Sequence, residues 1–169
     1  FCDTCWATSR YRERSASVDF SRLALEFPPL TPIYRASPSW RIPMPLVRIS
    51  LRRGKSSAHI AALRNGIYQA MRETFNVPEN DRFILASQHD ADEFDYDPNY
   101  LGIARSDDLV IVQITCNSGR TVEQKQALYR RIAENRSVDP GLRPEDVFIN
   151  LVEVAKENWS FGNGIAQYA

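Results

Sequence analysis

"RIPMPLVRISLRRGKS", Arg41 to Ser56, decides how the chain is read. Within it Val47, Ile49 and Leu51 alternate with Arg48 and Ser50, the period of a half-buried strand. Gly54 marks a turn, and Ser56 or Ser57 can cap a helix running to about Phe75. Ile60, Leu63, Ile67, Ala70 and Met71 fall on one face at helical spacing. Asn76 and Pro78 end that helix, and "RFILAS", Arg82 to Ser87, reads as a second strand. The strand that opens this unit starts on Met44 and Pro45, which raises the question of whether Pro45 is the true N-terminus.

The pattern then repeats. "HDADEFDYDPNY", His89 to Tyr100, is a polar loop. Its carboxylates suggest a calcium loop, but counting from Asp90 there is no Gly at the sixth position and no Glu at the twelfth, so a solvated loop is expected. "DLVIVQITC", Asp108 to Cys116, is an apolar strand suited to a sheet centre. Thr121 opens "TVEQ", a capping box, before a helix running to about Arg136 with Val122, Leu128 and Ile132 inward. "DPGLRPED" suits a turn, "VFINLVEV" (Val147 to Val154) a fourth strand, and "ENWSFGNGIAQYA" a short hairpin or arm. Each helix is long enough to cross between parallel neighbours. The fold expected is α+β: two βαβ units forming a four-stranded sheet with two helices on one face. The other face then carries apolar residues that need cover, which implies oligomerisation.

Residues 1–43 differ in character. They hold six Arg and no Lys, six Ser and five of the ten Pro, with no sustained apolar period. Two readings follow: a disordered leader, or upstream sequence read through in frame and foreign to the working protein. The domain expectation is therefore 1–43 as an extension and 44–169 as the working domain. Without the extension 15 basic residues face 17 acidic ones, a net of −2.

Composition narrows the function classes. Hydrophobic residues are 43% and charged residues 25%, with zero formal net charge over the whole chain. Neither a nucleic-acid footprint nor attraction to an acidic membrane is expected, and no apolar run approaches the ~18 residues of a membrane span. Arg52, Arg53 and Lys55 form too small a basic cluster for nucleic acid. Cys2 and Cys5 form an isolated C-x-x-C with no second pair to complete a zinc site, and Cys116 reads as a small buried hydrophobe. This usage fits a reducing, cytoplasmic setting, with no metal or cofactor expected. His59 and His89 read as structural or solvated.

The ordered pieces "PLVRISLRRGKS" (Pro45 to Ser56), "FNVPENDRF" (Phe75 to Phe83), "SQH" (Ser87 to His89), "LGIARSDD" (Leu101 to Asp108), "GRTVEQKQALY" (Gly119 to Tyr129) and "NWSFGNG" (Asn158 to Gly164) resemble the tautomerase superfamily. The closer similarity is to its malonate semialdehyde decarboxylase branch. The resemblance implies a homotrimer with a βαβ-βαβ fold and catalysis by an N-terminal proline, here Pro45 after removal of Met44. It assigns catalysis also to Asp81, carboxylate binding to Arg120, and pocket walls to Trp159 and Phe161. The branch carries a second arginine where this chain has Ser118, which tilts the expectation from strict decarboxylation towards a broader tautomerase or hydratase capacity.

The chemistry implied is proton transfer. An internal proline has an amide nitrogen without a basic lone pair, whereas a terminal proline is a secondary amine. A free α-amino group titrates near ~8. Desolvation and nearby cations such as Arg120 lower that value, and Asp81 raises it. A neutral Pro45 is a general base towards carbon acids next to a carbonyl; a protonated one is a general acid. Arg120, just before the Thr121 cap, can offer a guanidinium fork and neighbouring helix N–H groups to a substrate carboxylate. The substrate class expected is a small 2-oxo or 3-oxo acid. The rival expectation is a non-catalytic oligomeric binding protein on the same scaffold, favoured if residues 1–43 are retained.

Overall fold

The computed structural model describes residues 44–168. The expectations placed on residues 1–43, the Cys2–Cys5 pair included, lie outside the described residues. The elements are β1 (Leu46–Arg52), α1 (Ser57–Phe75), β2 (Phe83–His89), β3 (Val110–Asn117), α2 (Val122–Val138) and β4 (Val147–Val154). They form one four-stranded sheet in the order β2-β1-β3-β4. β1 pairs parallel to β2, and β3 parallel to β4, as two crossover units require. The units join through antiparallel β1 and β3, with Leu46 opposite Thr115 and Leu51 opposite Val110.

The alternation in β1 does what its period predicts. Val47, Ile49 and Leu51 point to the helices and join Val110, Val112, Ile114 and Cys116 of β3, Leu63, Ile67 and Met71 of α1, and Leu128 and Ile132 of α2 in one core. Burying each such aliphatic side chain contributes roughly 1.5–3 kcal/mol. Ser56 is the cap of α1, its side chain accepting the His59 N–H at 3.2 Å. Thr121 and Gln124 form the expected reciprocal capping box on α2.

One detail corrects the sequence expectations, and others refine them. Val122 is exposed rather than inward. It lies six residues before Leu128, which at about 100° per residue turns it well away from the buried stripe. The buried residues of α2 are Leu128, Ile132 and, unexpectedly, Arg136. The segment after β4 contains a short 3₁₀ turn, Lys156–Asn158, and no strand among the described residues, so it is an arm and not a hairpin. The acidic loop is largely exposed, as expected, and Asp90 at its start pairs with Arg53 at 2.5 Å; beyond the loop, Asp107 pairs with Arg52 at 2.5 Å and Asp108 with Lys55. The basic residues at the end of β1 are therefore paired with Asp90 and with the segment just before β3. Nearby, buried Asp146 accepts the Ser106 N–H at 2.6 Å and its hydroxyl at 2.8 Å, and pairs with Arg143 at 2.8 Å.

The sheet face away from the helices presents Phe83, Leu85 and Phe148, all exposed. Their register partners Leu46, Arg48 and Ile111 share that face. No helix of the described residues is long and apolar enough to cross a membrane.

Candidate active site

Topology gathers the candidate residues at one end of the sheet. Leu46 is in register with Phe83 on β2 and Thr115 on β3. Pro45, one residue earlier, thus stands at the end where β2 begins and β3 finishes, and it is buried. Asp81 lies two residues before Phe83, and Arg120 follows the end of β3.

The loop from α1 to β2 presents Asp81. α1 stops at Asn76, whose left-handed backbone (φ 53°) lets its N–H return to the Met71 carbonyl. The Tyr68 hydroxyl then brackets the turn, donating to the Pro78 carbonyl at 3.2 Å and accepting the Asn80 N–H at 3.1 Å. The Asp81 N–H bonds to the Pro78 carbonyl at 3.3 Å. Asp81 is only 7% exposed, and neither carboxylate oxygen has a hydrogen-bond partner. Burial alone pushes its carboxyl up to about 6. Arg82 does not neutralise it; that guanidinium donates instead to Asn65 at 2.7 Å.

The turn from β3 to α2 presents Arg120. Ser118 is tied back to β4, its N–H and hydroxyl reaching the Val154 carbonyl at 3.0 and 3.1 Å. Gly119 takes φ 116°, a conformation that strains any side chain, and lets the chain reverse into the cap at Thr121. Arg120 is half-buried, donates to the Asn117 carbonyl, and carries its guanidinium carbon 4.5 Å from the centre of the Phe75 ring. It has no carboxylate partner among the described residues, so its charge is available to an anion. The backbone amides beside it are less available than the sequence implies. The Glu153 carboxylate is held below its usual range by the Lys125 ammonium first, and also by the Gly119 and Arg120 N–H groups. A substrate carboxylate would meet the side chain of Arg120 more than the start of α2.

Trp159 and Phe161 stack on each other with ring centres 5.6 Å apart, and Phe161 meets Tyr168 edge-on at 5.0 Å. Trp159 is half-buried with an unpartnered, buried indole nitrogen, whereas Phe161 is exposed. No hydrogen bond or ring contact joins this pair to Pro45, Asp81 or Arg120. Clefts of about 430 and 500 Å³ lie along α1 and are lined by none of these residues, although Asn80 and Arg82, on either side of Asp81, border the first. Sequence reasoning missed Phe75, which carries Arg120; Tyr68, which sets the Asp81 turn; and Asn117, buried with an unpartnered side-chain oxygen. Aromatic residues on a helix give no local sign of such roles, and only Asn117, a polar residue ending an apolar strand, gives a local signal.

This arrangement can move protons. A buried carboxylate without a counter-ion and an unpaired guanidinium stand at the same end of the sheet as Pro45. Comparison with known proteins places the geometry. The family described as "Tautomerase enzyme" matches residues 81–162. The probable tautomerase YusQ of Bacillus subtilis (strain 168) is 48% identical over 124 residues, covering 73% of this chain and 98% of that protein. Malonate semialdehyde decarboxylase, whose structures address decarboxylase and hydratase activities, is 34% identical, with a TM-score of 0.68 over 73% of this chain and 95% of that one. A fused 4-OT symmetric trimer shares the fold at 21% identity, with a TM-score of 0.60 over 71% of this chain and 94% of that one.

Proposed function

The chain belongs to the tautomerase family, and from that premise we propose that it interconverts the keto and enol forms of a small 2-oxo carboxylic acid, using Pro45 as the N-terminal amine left by removal of Met44. In this reading Arg120 holds the substrate carboxylate by a charge-assisted hydrogen-bonded fork. The neutral Pro45 nitrogen takes a proton from the carbon next to the carbonyl and, as the ammonium, delivers it to the carbonyl oxygen, giving the enol and restoring the neutral amine. The same steps in reverse return the keto form. Trp159 and Phe161 wall the pocket in the assembled protein.

The observation that carries the proposal is Asp81, buried with both oxygens unpartnered and its carboxyl raised to about 6. A Pro45 ammonium is the counter-ion that such a carboxylate lacks. The pair would share one proton, Asp81 raising the amine's proton affinity and Arg120 lowering it. That balance sets whether Pro45 rests as base or acid.

A second reading, loss of CO₂ from a 3-oxo acid such as malonate semialdehyde, or its hydration, is supported by the likeness to malonate semialdehyde decarboxylase. A protonated Pro45 would then polarise the carbonyl and protonate the resulting carbanion. Ser118, spent on the Val154 carbonyl, offers no second cation for this reaction. We further propose a homotrimer, supported by the exposed Phe83, Leu85 and Phe148 on the uncovered sheet face and by the trimeric 4-OT relative in fold. The scaffold reading without catalysis predicts no turnover in either assay.

The test is steady-state turnover of phenylenolpyruvate and of malonate semialdehyde by protein beginning at Pro45, beside its Pro45→Ala variant. A fall of about 10²-fold or more in the variant is expected. Equal rates would remove proline from the mechanism.

A further inference from the structure

We propose that the cleft between the C-terminal half of α1 and the loop leading to β2 binds a small oxyanion, a phosphate or carboxylate group, separately from the candidate active site. The cleft has a volume of about 430 Å³ and is lined by Asn65, Tyr68, Gln69, Arg72, Glu79, Asn80 and Arg82. That is the size of a small-molecule site, but its walls are polar, and its charged residues are two arginines and one glutamate.

Both arginines are aimed by one ring. The guanidinium carbons of Arg72 and Arg82 lie 5.9 and 5.0 Å from the centre of Tyr68. Tyr68 is itself locked, being buried and hydrogen-bonded through its hydroxyl to Pro78 and Asn80. Arg82 is steadied further by its 2.7 Å bond to Asn65. Neither guanidinium has a carboxylate partner among the described residues, even though Glu79 shares the cleft wall. Two planar, always-charged donor forks held towards one concavity favour an acceptor-only ligand with several oxygens. The ring contacts and the Asn65 bond reduce the ordering cost that binding would otherwise meet. The amides of Gln69 and Asn80 add donors at the rim. Asp81 lies between Asn80 and Arg82, so occupancy would brace the turn that presents it.

The experiment is an amide ¹H–¹⁵N titration of the full chain with sodium phosphate and, separately, sodium succinate, at ionic strength held constant with sodium chloride. Saturable shifts at Gln69, Asn80 and Arg82 are expected with at least one anion. Arg72→Gln and Arg82→Gln should each weaken that binding about tenfold, the cost of one charge-assisted contact, while Arg120→Gln leaves it unchanged. Tighter phosphate assigns the site to phosphate-bearing ligands, and tighter succinate to carboxylates. Arg72 is half-buried and Arg82 exposed, and the two variants, each with its own spectrum as a check of the fold, keep the test valid if one fails to fold. Shifts no larger than in chloride alone, or affinity that survives both substitutions, would overturn the proposal.

Discussion

The guanidinium of Arg120 lies over the ring of Phe75, 4.5 Å from its centre, so the last residue of α1 supports the cation presented by the start of α2. Phe75 is almost fully buried, which makes that platform rigid. A cation over a ring contributes about 0.5–2 kcal/mol. Phe75→Leu keeps most of the buried volume but removes the ring. It should raise KM for a carboxylate substrate about three- to tenfold with kcat little changed, since the lost interaction is in binding. Arg120→Gln should raise KM further. Steady-state kinetics that separate KM from kcat check both.

Asp81 gives a prediction with opposite signs for stability and activity. Its carboxyl rises from an ordinary 3.8 to about 6 on folding, so the folded state binds the extra proton. The sign follows from linkage: stability is full below the unfolded value and is lost as pH rises through about 6. Asp81→Asn in the full chain should therefore stabilise the fold at pH 7.5 by roughly 1–3 kcal/mol and much less at pH 4. Urea midpoints at the two pH values measure this. In protein beginning at Pro45 the gain should shrink, because the ammonium supplies a partner, while kcat falls about 10²-fold or more.

Tyr68→Phe removes the hydroxyl that bridges Pro78 and Asn80 and leaves the ring in place. The expected loss is about 1–2 kcal/mol of stability, with faster hydrogen exchange confined to residues 78–82. Unchanged exchange at Asn80 would show that the hydroxyl does not hold the turn.

Gly66 and Arg136 make the tightest approach between the helices. A Cβ on Gly66 would lie 1.2 Å from an Arg136 side-chain nitrogen, and that guanidinium also donates to the Ala62 carbonyl. Arg136 is only 2% exposed and cannot swing into water without leaving its slot. Gly66→Ala should destabilise by about 1–3 kcal/mol despite the higher helix propensity of alanine. The double variant with Arg136→Met should recover most of that loss, and thermal unfolding of the single and double variants decides it.

Elements carried by local pattern were legible before any coordinates. The Val47–Ile49–Leu51 alternation, the Ser56 and Thr121 caps and the buried face of α1 all follow from short-range periods and side-chain chemistry. Val122 misled because an apolar residue at a helix start carries no information about which way that turn faces. The pairing of Arg52 and Lys55 with Asp107 and Asp108 was not legible because these residues are far apart in sequence and only the β1–β3 pairing brings them together. Asp81 and Arg120 stood out through resemblance, but their states did not. The isolation of Asp81 depends on Arg82 turning to Asn65, and the support of Arg120 on the packing of α1 against the β3 end. Both are consequences of tertiary geometry.

The central claim is that Pro45 works only as a chain terminus, and one comparison tests it most directly: kcat/KM on phenylenolpyruvate for protein beginning at Pro45 against protein in which Met44 and residues 1–43 are kept. The account predicts a loss of about 10²-fold or more in the extended form, since an amide nitrogen supplies no acid or base. Equal kcat/KM for the two forms, with mass analysis confirming the retained residues, would contradict it.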